Sequence, residues 1–261
     1  MSETERGFGV SGALDHSVVR AIVPAVAELG YATFWANDVP TGEGLATLAV
    51  AAELAENIRL GVGVIPIDRQ PADHIIDRVE ALRLPVDRLI VGIGSGGVRR
   101  GSLELVRSAI KTLRRRGIRT VVGALGPKMV ALSGAEADGV LLNWLTPKAA
   151  ARSIEIMRDA ASGRRVEAIA YVRVAFGDAA DARLESESLR YESVPQYAAH
   201  FERMGVRAIE TSVAGPTPAA LQAGLMAFDD VVDEVVVRAI TAEETPAAYL
   251  DLARAAAPEQ R

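Results

Sequence analysis

The sequence predicts an α/β protein with one closed (β/α)8 barrel, a TIM barrel, as a single domain over residues 1–261. Apolar strand candidates and helical patterns alternate along the whole chain, which is typical of parallel strands joined by helices. Eight strand candidates are present, and the length of 261 residues fits a fold that needs about 250. Repeats, low-complexity tracts and long linkers are absent from the sequence.

The strand candidates are short runs rich in Val, Ile, Leu and Ala, bounded by Gly, Pro or charged residues. They are predicted at 8–11, 32–36, 59–64, 89–93, 120–124, 139–142, 167–176 and 234–240. Helices are predicted at 15–29, 45–55, 72–82, 103–115, 128–135, 149–161 and 246–256. Asp15 is the expected N-cap of the first helix, and Gly30 is expected to end it. Between the last two strands, residues 177–233 are predicted to hold helical pieces and a short strand at 207–212.

Composition excludes several classes of protein. Cysteine is absent, so disulfide and thiol chemistry are excluded. The net charge of −5 comes from interspersed acids and bases, which gives no electrostatic basis for binding nucleic acid. No signal-peptide pattern and no apolar stretch of about 20 residues is evident. We therefore expect a cytoplasmic protein with no membrane and no nucleic-acid partner.

The most informative segment is 121–147, VVGALGPKMVALSGAEADGVLLNWLTP. It predicts strand, turn, helix, strand, turn and helix, a tight βαβα unit with parallel strands. The turn at Gly126 and Pro127 precedes a helix, where free backbone N–H groups favour an anion. Lys128 adds positive charge to the same turn. The alternative interpretation is a plain tight turn.

Four sequence blocks resemble the luciferase-like monooxygenase family, within it the branch of F420-dependent oxidoreductases similar to methylenetetrahydromethanopterin reductase. They follow the order of the family over 30–144, and the C-terminal part fits more loosely. Three blocks are Trp35-Ala36-Asn37-Asp38-Val39, 57–64 (NIRLGVGV) and 87–96 (DRLIVGIGSG). The fourth has Ser133 where alanine is usual and otherwise matches at Gly123, Gly126, Pro127, Lys128, Leu132, Gly134, Ala137, Asp138, Gly139, Leu141 and Asn143.

The resemblance implies an enzyme that transfers hydride between the deazaflavin coenzyme F420 and a small organic substrate. Two alternatives remain open: an FMN-dependent monooxygenase of the same fold, and a non-catalytic protein that binds flavin or deazaflavin. The blocks are more specific for the fold than for the choice between F420 and FMN. They do not identify the substrate.

Asp38 is the candidate catalytic residue and also a candidate cofactor contact, because a carboxylate at an apolar strand end can bind a ring N–H or move a proton. The resemblance implies contact with the flavin or deazaflavin headgroup. The alternative is a turn or capping residue before Pro40. Val39 departs from the family, in which many relatives carry a histidine for proton transfer or substrate contact, and valine can do neither.

The resemblance also implies a cis peptide bond between Gly63 and Val64, forming a bulge behind the ring system. The alternative is an ordinary strand glycine. Residues 92–97 satisfy the pattern G-x-G-x-x-G, which alone could indicate a Rossmann dinucleotide site. That pattern follows the fourth strand rather than the first, and Ala124-Leu125 stands where an acidic residue would be needed.

The remaining candidate cofactor contacts are backbone and polar groups at predicted strand ends. They are Gly94, Ser95 and Gly96, as a flat backbone-lined wall; Gly126, Pro127, Lys128 and Met129, as a phosphate site; and Asn143, at the end of the sixth strand. No metal site is expected, because His16, His74 and His200 lack the spacing of metal ligands.

Relatives carry a long insertion after the fourth strand that covers the substrate. Here 97–119 has room for one helix only, so this insertion is shortened. We therefore expect an open active mouth that either residues 177–233 or a second subunit must close. C2 dimers are the commonest assembly, so a homodimer is expected.

Overall fold

The computed structural model describes residues 4–259. Within that range nine strands are all parallel, and eight of them form a closed barrel because β6 pairs with β7, β7 with β9 and β9 with β1. The barrel strands are β1 (Glu5–Ser11), β2 (Thr33–Asn37), β3 (Arg59–Pro66), β4 (Leu89–Gly94), β5 (Arg119–Ala124), β6 (Gly139–Asn143), β7 (Glu167–Phe176) and β9 (Glu234–Ile240). The ninth, β8 (Val213–Gly215), pairs only with the carboxyl end of β7.

Helices follow the strands and surround the barrel. They are α1 (His16–Glu28), α2 (Gly44–Ala52), α3 (Ala72–Ala81), α4 (Ser102–Arg115), α5 (Pro127–Glu136), α6 (Pro147–Ala161), α7 (Asp181–Glu192), α8 (Pro195–Met204), α9 (Pro218–Met226) and α10 (Pro246–Ala255). Asp15 caps α1 as predicted, since its carboxylate accepts a 2.7 Å hydrogen bond from the Ser17 N–H. Proline begins four of the helices that have a threonine or glycine cap, at α5, α6, α9 and α10.

Alternation along each strand divides the apolar side chains between two cores. Phe8, Phe34 and Leu60 belong to the large core between the barrel and its helices. Inward-facing side chains fill the barrel with a smaller cluster, formed by Trp35, Ile90, Val121, Leu141, Ile169, Tyr171 and Val236, with Val64 packed on it. The barrel interior is therefore a packed core below its carboxyl end, as this fold requires.

The predicted (β/α)8 barrel is confirmed, and the bounds predicted for its last two strands, 167–176 and 234–240, coincide with β7 and β9. A closed sheet excludes the Rossmann interpretation of 92–97, because that site belongs to an open doubly wound sheet. The predicted domain bounds of 1–261 include residues 1–3 and 260–261, which lie outside the described residues.

The strand predicted at 207–212 is wrong. Ala208–Thr211 is a 3-10 turn, held by a bond from the Thr211 hydroxyl to the Ala208 carbonyl and by Glu210, which accepts from the Arg207 N–H. Side chains that bond to nearby backbone compete with strand pairing, which explains the difference. The short strand β8 begins at Val213, two residues after this turn ends.

One helix, α4, connects β4 to β5, so the insertion there is short, as predicted. The segment between β7 and β9 is longer and contributes α7, α8 and α9. We call α7 and α8 the lid helices, because their side chains contact the carboxyl ends of β5, β6 and β7.

Candidate functional site

The predicted site residues converge at the carboxyl end of the barrel, which we call the mouth. Gly94 and Asn143 are the last residues of β4 and β6, Gly63 lies in the second half of β3, and Gly126 follows β5. In (β/α)8 barrels this end carries function. Asn143 is half-buried, and its side-chain oxygen accepts a hydrogen bond from Arg173.

The Gly63–Val64 peptide bond is cis, which confirms the sequence-based expectation. The pairing of β3 with β4 shifts register between Val62 and Ile65, so the strand bulges at this point. The bulge turns the Val64 side chain into the barrel, where it packs against the interior cluster.

Neighbouring glycines make room for that side chain. A Cβ added to Gly123 would lie 2.7 Å from Val64 Cγ1, and one added to Gly94 would lie 3.1 Å from Val64 Cγ2. A Cβ on Gly92 would lie 2.5 Å from the Val62 carbonyl oxygen. On this side the wall of the mouth is therefore backbone plus one valine, with few polar side chains.

The position of Gly96 requires glycine for two reasons. Its φ is +61°, and a Cβ there would collide with the Asp68 carboxylate. Asp68 in turn accepts a 2.8 Å hydrogen bond from the Gly97 N–H. These contacts join the loop after β3 to the loop after β4, and Ser95 is half-buried between them and the strand.

Asp38 is held by its own neighbours. One carboxylate oxygen accepts from the Gly44 N–H at 3.2 Å, and the other accepts from Gln70 Nε2 at 2.9 Å. Partial burial raises the pKa of Asp38, although both hydrogen bonds and the charge of Arg69 oppose the shift. The contacts are those of a residue that links a turn, a helix start and a neighbouring loop.

A cavity of about 670 Å³, here the rim cavity, lies between the starts of α4 and α5. Its lining residues are Arg99, Gly101, Ser102, Leu103, Glu104, Arg107, Gly126, Pro127, Lys128 and Met129. Both helix N-termini favour an anion. Within 4–259, Lys128 and Arg99 make no ion pair, whereas Arg107 is paired with Glu104 and Glu136. The predicted phosphate turn therefore borders a cationic cavity.

The opposite side of the mouth carries polar side chains that were not predicted as cofactor contacts. Asn37 Oδ1 accepts hydrogen bonds from Arg238 Nε at 2.7 Å and from the Tyr171 hydroxyl at 3.1 Å. Asn37 Nδ2 donates to the Gly63 carbonyl at 3.0 Å. Asn37 thus connects Arg238 on β9 to the bulge on β3.

Arg173 is almost fully buried and joins the barrel to the lid helices. Its Nε donates to Glu187 on α7 at 3.1 Å, and its guanidinium carbon lies 3.8 Å from the Trp144 ring centroid. Burial alone would raise the pKa of Glu187, but the charges of Arg173 and Arg238 hold it below its ordinary value. Glu187 is therefore a carboxylate at neutral pH.

His200 on α8 fixes the second lid helix to the mouth. Its Nε2 lies 2.9 Å from the Trp144 carbonyl, and its Nδ1 lies 2.9 Å from the Leu125 carbonyl and 3.2 Å from Arg203 Nη2. Burial lowers the pKa of His200. A neutral ring has one N–H and can donate to only one of the two carbonyls; protonated at Nε2, it donates to Trp144, while Arg203 donates to Nδ1 and to the Leu125 carbonyl.

A second charged cluster lies at the amino end of the barrel. The carboxylates of Glu5, Glu167 and Glu234 can place oxygens within 4.8 Å of one another. Arg59 pairs with all three, at 3.2 Å from Glu234 and 3.3 Å from Glu167. Burial raises the pKa of Glu234 to about 7. A guanidinium already supplies the positive charge at this end, so the cluster is an internal ion network.

A sequence signal for the polar side of the mouth does exist. Ile169, Tyr171 and Arg173 share one face of β7 by the two-residue period of a strand, and Val236 and Arg238 share one face of β9. A charged residue on the inward face near the carboxyl end of a buried strand is the pattern that would have selected Arg173 and Arg238.

Fold and site together define a parallel eight-stranded barrel with a polar mouth, a glycine-lined wall and a cationic rim. The luciferase-like monooxygenase family model matches residues 99–257, and the chain belongs to this family of oxidoreductases. Of the four sequence blocks, only the last lies wholly within the matched residues. No curated protein sequence matches the chain significantly.

Solved structures with the same fold include the coenzyme F420-dependent tetrahydromethanopterin reductase from Methanopyrus kandleri. It is 15% identical with a TM-score of 0.75, and 97% of each chain is covered. An F420-dependent secondary alcohol dehydrogenase is 13% identical with a TM-score of 0.77, covering 98% of this chain and 99% of its own. The oxygenating constituent of 3,6-diketocamphane monooxygenase from Pseudomonas putida, solved with FMN, is 12% identical with a TM-score of 0.70, covering 97% and 96%.

Among the helices described between residues 4 and 259, none combines the length and the apolar character needed to cross a bilayer.

Proposed function

We propose that this protein is an oxidoreductase that uses the deazaflavin coenzyme F420 to reduce or oxidise a small organic substrate. The observation that carries the proposal is the rim cavity: a cationic space between two helix N-termini that opens beside the glycine-lined wall of the mouth. When bound, a deazaflavin exchanges a hydride with the substrate at its C5 carbon. The fold neighbours that use F420 support this choice of coenzyme.

The rim cavity fits the phosphate of such a coenzyme. The first N–H groups of a helix have no partner within the helix, and here two helices present them to one space. Lys128 and Arg99 supply charge without needing to break an existing ion pair. The space above Gly126 is open, because a Cβ there would meet no atom within 4 Å.

The mouth fits a planar ring. The Val64 side chain fills the space beside Gly94 and Gly123 and offers an apolar face on which a ring can stack. Asn37 and Asn143 lie at the polar side, where amide groups can hydrogen-bond the ring edge. Gly94, Ser95 and Gly96 border this face, while Met129 and Pro127 border the route to the rim.

The lid helices replace the insertion that is short after β4. Trp144, Tyr191 and Phe201 pack together above the end of β6, with Trp144 4.8 Å from Tyr191 and 5.9 Å from Phe201 between ring centroids. A covered mouth excludes water from the reacting atoms and positions the donor carbon. Closure by α7 and α8 supports an enzyme over a non-catalytic binder.

A titration with F420, FMN and NADPH side by side tests the proposal, read by intrinsic fluorescence and by cofactor absorbance. We expect F420 to bind most tightly, followed by turnover with a panel of small alcohols, ketones and aldehydes. Micromolar FMN binding without detectable F420 binding would instead establish the second candidate, an FMN-dependent monooxygenase, which the FMN-bound fold neighbour supports. Tight F420 binding with no turnover on any substrate would establish a non-catalytic binder.

The proposal includes a cytoplasmic homodimer built from one barrel domain per chain. The cysteine-free composition suits a reducing compartment, where disulfides do not form. The exposed Leu189 on α7 is 48% accessible and lies on a lid helix, where a second subunit could cover it. Multi-angle light scattering that reports a monomer at micromolar concentration would contradict the dimer while leaving the chemistry in place.

A further inference from the structure

Two guanidinium groups and one carboxylate lie close together at the mouth, where Arg173 is buried, Glu187 is largely buried and Arg238 is half-buried. Arg173 pairs with Glu187, donates a hydrogen bond to Asn143 and stacks on the ring of Trp144. Arg238 lies beside them on β9, and Glu187 is the carboxylate whose charge acts on both arginines. Among the described residues the group therefore carries one positive charge more than it has carboxylates to balance.

Arg238 is the arginine with unused donors. Its Nε donates to Asn37 and its Nη1 donates to the Ala239 carbonyl. Nη2 makes no hydrogen bond to any residue from 4 to 259. The residue is half-buried rather than buried, so part of it remains accessible.

The surroundings of Arg238 hold it in place. Asn37 is fixed in turn by the Tyr171 hydroxyl at 3.1 Å and by its own bond to the Gly63 carbonyl at 3.0 Å. Tyr171 is buried and packs edge-on against Trp35, with ring centroids 6.2 Å apart. A guanidinium with fixed Nε and free terminal donors is preorganised to bind a planar oxyanion.

Burial would lower the pKa of Arg238, but the charge of Glu187 and weaker interactions with nearby tyrosines together outweigh burial and hold it above its ordinary value, so the side chain is a cation that can bind an anion through its unused donors. The rim cavity is a separate site for an anion, since its residues come from α4, α5 and the loops after β4 and β5, whereas Arg238 belongs to β9. One anionic group therefore fits the rim and a different one fits the mouth.

We infer that Arg238 binds a carboxylate carried by the small-molecule substrate. Asn37 lies between this carboxylate site and the Gly63–Val64 bulge. That the bound molecule is a substrate rests on the proposed function. That it carries an anionic group rests only on the contacts of Arg238. The substrate class is then a small organic acid or keto acid rather than an unsubstituted alcohol or ketone. Binding its carboxylate at Arg238 orients the remaining carbon atoms toward the face formed by Val64.

The test compares propionate with propionamide, which have nearly the same shape and differ in charge, as probes of the protein without cofactor. Saturation-transfer NMR measures both affinities. We expect propionate to bind the native protein at least tenfold more tightly than propionamide. We expect Arg238→Gln to remove that preference and Arg238→Lys to retain part of it. Arg183→Gln is the matched control, because this exposed arginine bonds the Thr241 carbonyl at the edge of the mouth, and the preference should survive.

Equal binding of the two probes by native protein would overturn the inference without relying on any variant that fails to fold. A preference that persists in folded Arg238→Gln would also overturn it. F420 and FMN titrations on the same samples separate the two proposals. If neither cofactor binds but the preference depends on Arg238, the anion site stands and the proposed function fails. If F420 binds normally and the probes do not differ, the inference fails alone.

Discussion

Glu187 on α7 lies 3.1 Å from Arg173 on β7, and this pair is the only contact between a lid helix and the barrel interior that is ionic among residues 4–259. Both side chains are largely buried, with 12% and 2% of their surfaces exposed. Stacking of Arg173 on Trp144 ties the same arginine to the end of β6. The same ion pair therefore helps to hold the first lid helix in place and contributes to the charge of the mouth.

Glu187→Gln should loosen the lid and lower stability. The amide keeps the shape of the side chain but leaves two guanidiniums without their carboxylate, and a charged hydrogen bond of this kind contributes about 2 kcal/mol. Urea unfolding followed by circular dichroism measures the loss. Glu185→Gln on the exposed face of the same helix is the control and should change stability by less than about 0.5 kcal/mol. Equal effects of the two variants would show that the buried pair does not stabilise the lid.

The lowered pKa of Glu187 also predicts that the folded protein loses stability in acid. Because the folded-state pKa of Glu187 is depressed, its contribution is present above the unfolded pKa of about 4.3 and is lost as pH falls through the lower folded value. In Glu187→Gln that part of the pH dependence should be missing. The measurement is the unfolding midpoint of both proteins from pH 6 to pH 3.

His200 should make the lid sensitive to mild acid. Its pKa is lowered in the folded state, so the unfolded chain takes up the proton first, and stability should fall as pH drops below about 6.5. A protonated Nδ1 would face Arg203 at 3.2 Å and lose its role as acceptor. His200→Gln should remove the loss, since glutamine does not titrate in this range.

Amide hydrogen exchange of α8 at pH 7.5 and pH 5.5 follows this change directly. His74→Gln is the matched control, because His74 is exposed on α3 and should leave the pH dependence unchanged. Exchange in α8 that is the same at both pH values in native protein would contradict a neutral His200 as the fixing group.

Asp38→Asn separates two interpretations of a residue chosen from the sequence. The carboxylate accepts from Gly44 N and Gln70 Nε2, so we expect a moderate loss of stability, about 1 kcal/mol, with cofactor affinity changed by less than twofold. Gln70→Ala should reproduce most of the stability loss. A tenfold loss of affinity in a folded Asp38→Asn protein would support the direct cofactor contact that the family resemblance implies.

Sequence reasoning predicted the parts of this molecule that local patterns control. The strands β7 and β9 are continuous runs of buried residues, so their bounds follow from composition. Gly126, Pro127 and Lys128 form the turn before α5, as the local sequence predicts, and they line the rim cavity; their role in binding phosphate stays a prediction. The cis peptide bond at Gly63 followed from family resemblance rather than from local physics.

The polar side of the mouth could not be predicted in the same way, because it depends on closure of the barrel. Asn37 and Arg238 are 201 residues apart in sequence and meet at 2.7 Å. Glu187 reaches Arg173 only because the helix after β7 folds back over the strand from which it leaves. An arginine in an apolar strand is ambiguous in sequence, since it can equally lie at a solvated end. The two-residue period of a strand places Arg173 and Arg238 on the inward face, but only long-range pairing determines which partners they contact.

Gly126→Asp should strongly weaken binding of a phosphorylated cofactor while the protein stays folded. The backbone at Gly126 is extended, with φ of −127°, and a Cβ there would meet nothing within 4 Å, so aspartate fits without steric cost. Its carboxylate would repel a phosphate at the start of α5, and we expect affinity for F420 to fall about tenfold to a hundredfold. Gly126→Asn is the matched control, with the same shape and no charge, and should lose less than threefold. Fluorescence titration gives both affinities, and thermal unfolding confirms that the two variants are equally stable. If aspartate and asparagine weaken binding equally, shape rather than charge matters at this turn, and the phosphate belongs elsewhere on the rim.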